Sequence, residues 1–317
     1  MSTLKPLAVI VDEEARSNLK GLGFRWFYDS REKNNGTYLL ETPRGERIEI
    51  TGTLVETPRV NVHSAELFYL ETTPACQLNC AHCGVKSDAL KVKGDAIRED
   101  VPYITEDFAR ALQKDLQDYP YAGMSRAMFF GGGEPLISPS KFARLQKILH
   151  PLPRTHRVVT TNGLPLPLDK DAFAQFMESI GKPQLLLSYS AAHCQQYQIL
   201  AKSRLYPGYV PEVEPEHALD EKAAILHKHC LEGGYSFAIN QVERQFEPAS
   251  TDLREWILRS ARSEPQIIYT TIGGRRDPCS QGEELAVRSN GRVYPHCYHI
   301  FNGQYYIGRM GLLIDKK

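Results

Sequence analysis

The chain has 317 residues, 42% hydrophobic and 24% charged, and its 38 basic and 38 acidic side chains cancel. That composition excludes a mostly disordered chain, a collagen-like chain and a small disulfide knot. A chain of zero net charge is not expected to bind nucleic acid or anionic lipid through its overall field, although a local patch stays open.

The N-terminal apolar run, residues 7–11, is cut short by Asp12-Glu13-Glu14. It is too short for a secretory h-region, which needs roughly 7–15 apolar residues. No stretch approaches the ~18 consecutive apolar residues of a membrane span. The expectation is a cytoplasmic protein with no membrane partner. Seven cysteines, unevenly spaced, then point to metal or redox chemistry rather than disulfides.

Residues 1–65 differ from the rest. A short helix is expected over 11–24, ending near Gly21 or Gly23. A β-hairpin is expected over 36–50, where Pro43-Arg44-Gly45 marks a turn between two alternating runs. This segment reads as a small lid, an appendage or a substrate-docking module. From 66 onward, strands at 67–72, 127–130, 157–160, 184–188, 236–242 and 266–271 alternate with helical patterns. Helices are expected over 105–116 with Thr105 as cap, 138–149 with Ser138 as cap and Pro139 at the first position, and 169–180 ending at Gly181. Two more are expected over 220–231, ending at Gly233-Gly234, and 251–263, ending before Pro265. Residues 207–216 read as a Pro-rich acidic loop. Such alternation predicts an α/β fold with a parallel sheet, arranged as a partial (β/α)6 barrel. The expected division is 1–65 appendage, 66–272 barrel core and 273–317 C-terminal hairpin extension.

After the first core strand come Cys76, Cys80 and Cys83, spaced C-x3-C-x2-C. Three thiolates on one short loop can grip one face of a compact metal centre. They are one short of the four that a closed zinc site or a fully ligated cubane takes. An open position suits a ligand, and the carboxyl end of a barrel strand is where such sites assemble. The alternative is a zinc site with His82 as fourth ligand, which is awkward for neighbours in sequence.

With these residues the chain resembles the radical S-adenosylmethionine (radical SAM) superfamily, whose C-x3-C-x-aromatic-C loop holds a [4Fe–4S] cluster through three cysteines. His82 stands at the aromatic position. The resemblance implies that the fourth iron chelates S-adenosylmethionine. One electron from the cluster would then cleave that cofactor, giving a 5′-deoxyadenosyl radical that abstracts a substrate hydrogen. Gly132-Gly133-Glu134-Pro135 matches the family's GGEP motif, which contacts the methionine amino group. Successive glycines also let a backbone approach a ligand closely. Thr161-Asn162-Gly163 matches a TNG segment near the cofactor, though alone it reads as an Asn-Gly turn. Ser188 matches a serine that contacts the carboxylate or ribose region, and Ser190 stands where relatives carry aspartate. Arg204 lies where relatives place an arginine that clamps the carboxylate; a solvated surface arginine is the alternative.

Near the C-terminus, Cys279 and Gly282 precede a run with Asn290-Gly291, Val293-Tyr294-Pro295 and Cys297. Asn-Gly between alternating apolar residues signals a hairpin. The run resembles a truncated SPASM/twitch extension, which in peptide-modifying relatives holds auxiliary clusters. His296 is inserted and no cysteine follows Cys297. Cys194, Cys230, His296 and His299 are the candidate further ligands. The alternatives are an auxiliary iron–sulfur cluster at Cys279 and Cys297, or a cluster-free hairpin that closes the barrel, with Cys194 and Cys230 as buried thiols.

The function these readings imply is a radical SAM enzyme acting on a peptide or protein side chain. A small metabolite, such as an amino acid, sugar or nucleoside, is the second substrate class, and a non-catalytic metal-binding module is the competing function. The implied partners are the substrate and an electron donor such as flavodoxin or ferredoxin; nucleic acid is not expected.

Overall fold

A computed structural model describes residues 7–10, 25–29, 36–41, 47–52, 59–62, 67–80, 90–91, 95–117, 126–150, 155–244, 266–272, 284–294 and 308–310. Its strands are β1 Leu7–Ile10, β2 Arg25–Asp29, β3 Gly36–Glu41, β4 Arg47–Gly52, β5 Arg59–Val62, β6 Leu67–Thr73, β7 Ala75–Cys76 and β8 Leu90–Lys91. Then come β9 Arg126–Gly132, β10 Thr155–Thr161, β11 Gln184–Tyr189, β12 Phe237–Arg244, β13 Gln266–Ile272, β14 Glu284–Val287, β15 Arg292–Tyr294 and β16 Gly308–Met310. The helices are α1 Glu106–Gln117, α2 Pro139–Leu149, α3 Lys170–Ser179, α4 Ala191–Lys202 and α5 Ala218–Gly233.

Strands β6, β9, β10, β11, β12 and β13 stand side by side in chain order and pair in parallel. They match all six expected core strands. Residues alternate between two apolar faces, as buried parallel strands require. Phe68, Leu70, Met128, Phe130, Val159, Leu185, Leu187 and Ile239 share the main core with Phe108, Phe142, Phe173 and Leu226 of the helices. Val158, Leu186 and Ala238 form a separate buried cluster, with Phe129 against it. On the helical side α1 packs on α2, α2 on α3 and α3 on α5. The row does not close, because β13 pairs with β12 alone among the described strands. This is the open arrangement of an α/β partial barrel.

The helix ends show why the chain turns where it does. Thr105 caps α1 by accepting the Phe108 N–H at 3.2 Å, and Asp169 caps α3 by accepting the Ala172 N–H at 2.8 Å. Gly181 and Gly234 take left-handed φ values of +80° and +68° at the exits of α3 and α5. Ser138 departs from expectation. It occupies the cap position of α2, but its hydroxyl goes to Glu99 Oε2 instead of a helix amide. Glu99 then receives the Ser140 N–H at 3.2 Å and the Ser140 hydroxyl at 2.6 Å. A carboxylate remote in sequence therefore serves the helix start. Burial pushes its carboxyl up, but the Ser138 and Ser140 hydrogen bonds and Lys141 outweigh that and hold it below the usual range.

Among the features that were not expected, two bear on the site. One is helix α4, which packs on α5 and β11. The other is the course of the C-terminal hairpin: β14 and β15 do not close the barrel. Instead β14 pairs in parallel with β6, on the side away from β9, and β15 continues through β16, β1, β5, β4, β3 and β2. Strands from all three expected segments thus share one sheet. Within it β3 and β4 pair antiparallel, Glu41 opposite Arg47. The expected helices over 11–24 and 251–263 lie outside the described residues. The acidic loop runs into a short 3-10 turn, Pro215–His217. Lys222, fully buried, ties two loops together by donating to the carbonyls of Leu166 and Tyr209.

Candidate active site

At the carboxyl end of β6 the pairing register with β9 shifts between Glu71 and Thr73. The chain leaves the sheet there and enters the cysteine loop. The Thr73 hydroxyl accepts the Ala75 N–H at 3.1 Å and donates to the Pro102 carbonyl at 2.5 Å. Cys76 ends β7, paired with β8, and is half-buried; Cys80 is buried. The loop is held from the side by Gln77, whose amide donates to the Ala96 carbonyl at 2.5 Å. It is held from α4 by Gln196, whose Oε1 accepts the Asn79 N–H at 3.1 Å. Cys83 and His82 lie outside the described residues.

The Gly-rich loop packs against this cysteine loop, backbone on backbone. Gly133 donates to the Thr73 carbonyl and Glu134 to the Ala75 carbonyl, both at 2.7 Å. Gly132, at φ +101°, donates to the Tyr69 hydroxyl at 2.7 Å. A Cβ on Gly133 would overlap the Ala75 carbonyl oxygen, and one on Gly132 would overlap Glu71 Cγ. The side-chain space of both glycines is filled by the chain itself, which is a reason for glycine there besides the expected approach to a ligand, and the N–H groups of Gly132, Gly133 and Glu134 are satisfied within the chain.

Glu134 is 1% exposed and joins the ends of β9 and β10. Its Oε1 receives the Thr161 hydroxyl at 2.8 Å and the Leu136 N–H at 3.1 Å; its Oε2 receives the Asn162 N–H at 2.7 Å. Burial pushes its carboxyl up to about 7, against the lowering by those hydrogen bonds. Thr161 also accepts the Gly163 N–H at 3.0 Å, and Gly163 takes φ +80°, so the expected Asn-Gly turn is present. Asn162 is buried. Its Oδ1 accepts the Leu164 N–H at 2.8 Å, which orients the amide so that Nδ2 faces Cys76 Sγ at 3.5 Å.

Ser188 is half-buried and registers with Asn240 on β12. By strand alternation both share the face of Leu186 and Ala238, two residues further toward the carboxyl ends. Asn240 was not singled out from the sequence; an asparagine inside the apolar run of β12 is the signal that could have found it. Arg204 is exposed just past α4, with φ +49° and its N–H bonded to the Ala201 carbonyl at 3.0 Å. Ser190 caps α4 and lies 2.8 Å from His193 Nδ1. Tyr197 of α4 is fully buried and donates to the Asn162 carbonyl at 3.0 Å. Burial raises its phenol well above the ordinary value, and Glu134 and Cys80 add to that. Gln196 and Tyr197 are therefore site residues that the sequence reading missed. The one local signal was Ser190 at the cap.

The candidate further ligands fare differently. Cys230 is 1% exposed within the main core, and burial pushes its thiol up to about 12. Burial pushes the Cys194 thiol up to about 11. Cys230 is thus a buried thiol and Cys194 a half-buried one, and both are raised rather than poised as thiolates. Cys279, His296, Cys297 and His299 lie outside the described residues. Among the described residues no three His, Cys, Asp or Glu side chains form a metal-binding group. The described part of the loop nevertheless fits a thiolate-held cluster. Two cysteines stand on one loop at a strand end, and an amide donor from Asn162 faces one sulfur. Among the described residues no helix is long and apolar enough to cross a membrane.

No protein-family model matches the chain, and no curated protein matches it. Among solved structures it is similar to a histidine-tagged anSMEcpe with bound AdoMet, over 77% of each chain, at 12% identity and a TM-score of 0.45. It is similar to a radical SAM methyltransferase from Sphaerobacter thermophilus over 83% of each chain, at 14% identity and a TM-score of 0.28. It is also similar to methylaspartate ammonia lyase of Citrobacter amalonaticus, over 86% of this chain and 95% of that one, at 10% identity and a TM-score of 0.23. Likenesses this weak carry no functional argument, which leaves the chain's own residues to supply one.

Proposed function

We propose that the protein is a radical SAM enzyme, with Cys76, Cys80 and Cys83 holding a [4Fe–4S] cluster and S-adenosylmethionine bound at the cluster's open iron. The observation that carries this reading is the join between the two motifs. The cysteine loop and the Gly-rich loop are hydrogen-bonded backbone to backbone at adjacent strand ends, with Asn162 donating toward Cys76. A plain metal-binding loop needs no such partner motif.

When bound, the cluster and S-adenosylmethionine supply a 5′-deoxyadenosyl radical, formed by one-electron reductive cleavage, that abstracts hydrogen from the substrate. The chain's own part is to hold and orient. Thr161 and Asn162 are fixed by Glu134, and Ser188 and Asn240 present polar groups above an apolar layer. In this reading Gly132, Gly133, Glu134, Thr161, Asn162, Ser188 and Arg204 form the cofactor's surroundings. The proposed substrate is a peptide or protein side chain, on the resemblance of residues 279–297 to a truncated SPASM/twitch segment. A flavodoxin or ferredoxin is the proposed electron source.

The test is anaerobic reconstitution with iron and sulfide, followed by reduction with S-adenosylmethionine present. About four irons per chain and release of 5′-deoxyadenosine are expected. Both should be lost when Cys76, Cys80 and Cys83 are all replaced by alanine. A triple variant that keeps its iron and its activity refutes the proposal. Roughly eight irons per chain, halved in Cys279→Ser/Cys297→Ser, would instead establish an auxiliary cluster.

A further inference from the structure

Among the described residues, an ion pair and a serine contact link the C-terminal hairpin to the candidate site. Strand β14 is seated by burial of Ala286 and Val287, which are 0% and 2% exposed. Its register on β6 sets Val287 beside Leu70. The next residues along the chain are Glu71, still in β6, and Arg288, just past the end of β14. Arg288 Nε meets Glu71 Oε2 at 2.7 Å, and the Ser289 hydroxyl lies 3.5 Å from Glu71 Oε1. Glu71 is only 1% exposed and Arg288 13%.

The turn that presents Arg288 is built to hold it. Gly291, at φ +81°, donates to the Arg288 carbonyl at 2.8 Å, and Arg288 donates to the Arg292 carbonyl at 2.8 Å. Asn290 Oδ1 accepts the Arg292 N–H at 3.1 Å. This is a three-residue hairpin loop with its glycine in the left-handed position.

Beyond Glu71 stands the Gly-rich loop. Glu71 Cγ fills the space where Gly132 would carry a Cβ, and the N–H of Gly132 is held by Tyr69 of the same strand. Glu71 also sits where the β6–β9 register shifts. A buried carboxylate that has lost its cation is driven toward water, which changes its packing against Gly132.

We propose that Arg288 is a positioning residue for the candidate site: the C-terminal hairpin braces the Gly-rich loop by holding Glu71 against Gly132. The brace is a property of the chain and does not require the radical SAM reading. It makes the extension a structural part of the site, whether or not that extension carries metal.

The experiment is amide hydrogen exchange on the full chain, comparing wild type with Arg288→Ala, Glu71→Gln and Glu71→Gln/Arg288→Ala. In Arg288→Ala the amides of Gly132, Gly133 and Glu134 should exchange at least about tenfold faster, while α5 keeps its protection. Glu71→Gln already lacks the ion pair, so adding Arg288→Ala to it should accelerate those amides by less than about threefold more. Unchanged exchange at the three amides, equal acceleration in α5, or an Arg288→Ala effect as large in the Glu71→Gln background as in wild type each overturns the brace. If Arg288→Ala does not accumulate, Arg288→Lys takes its place. It keeps the charge without the Nε geometry, and a smaller acceleration confined to the same amides is expected; no acceleration overturns the proposal. S-adenosylmethionine affinity of the reconstituted variants separates the two readings. Loosened amides with unchanged affinity support the brace and count against the proposed cofactor position.

Discussion

Replacing Glu134 by Gln keeps the shape of a fully buried side chain and removes its titration. In the folded protein burial raises this carboxyl from its ordinary 4.5 to about 7. The folded state therefore binds the proton more tightly than the unfolded chain does. Its stabilising contribution is fully present below about pH 4.5 and is lost as pH rises through about 7. The shift corresponds to about 3 kcal/mol across that window. Glutamine can accept from Thr161 and Leu136 through its oxygen. Its amide nitrogen then faces the Asn162 N–H, a donor against a donor, which costs about 1–3 kcal/mol at every pH. Urea unfolding of the reduced protein, at pH 5 and pH 8, measures both effects. Wild type should lose more stability than Glu134→Gln between these values, so the deficit of the variant should shrink by about 2–3 kcal/mol at pH 8. A deficit that is the same at both pH values would refute a raised carboxyl at Glu134.

Two further outcomes follow from the join between the loops. Gly133→Ala should reduce bound iron as well as S-adenosylmethionine binding, because its Cβ strikes the Ala75 carbonyl next to Cys76; iron analysis after reconstitution checks this, and normal iron with lost cofactor binding would show the glycine faces a ligand instead. Asn162→Ala removes a hydrogen bond to the Cys76 sulfur, so the cluster should become harder to reduce, with a more negative potential by anaerobic redox titration at unchanged iron content.

Much of the scaffold was legible in the sequence, for a local reason. Strands buried on both faces must be apolar along their length, and glycine or proline must stand where helices stop. The six core strands and the Asn290-Gly291 hairpin followed from those signals. So did the placing of Cys76, Cys80, Gly132 and Thr161 at strand ends, since a motif that directly follows a strand is fixed by that strand. Helix α4 was not legible. Its apolar and polar residues share no clean periodic face, because Gln196 and Tyr197 are spent on the cysteine loop and the Asn162 carbonyl.

The sequence also could not say what fills the glycines. That depends on which strand lies beside β9, and the neighbour turned out to be the chain's own Ala75 and Glu71. The pairing of Glu71 with Arg288 spans 217 positions. Composition and spacing determined that this chain builds an α/β sheet with a cysteine loop at a strand end. Tertiary structure alone decided that β14 joins β6 and so sets an arginine against a buried carboxylate. Local propensity acts over a few residues, whereas the partner of a buried charge is chosen by sheet order and register.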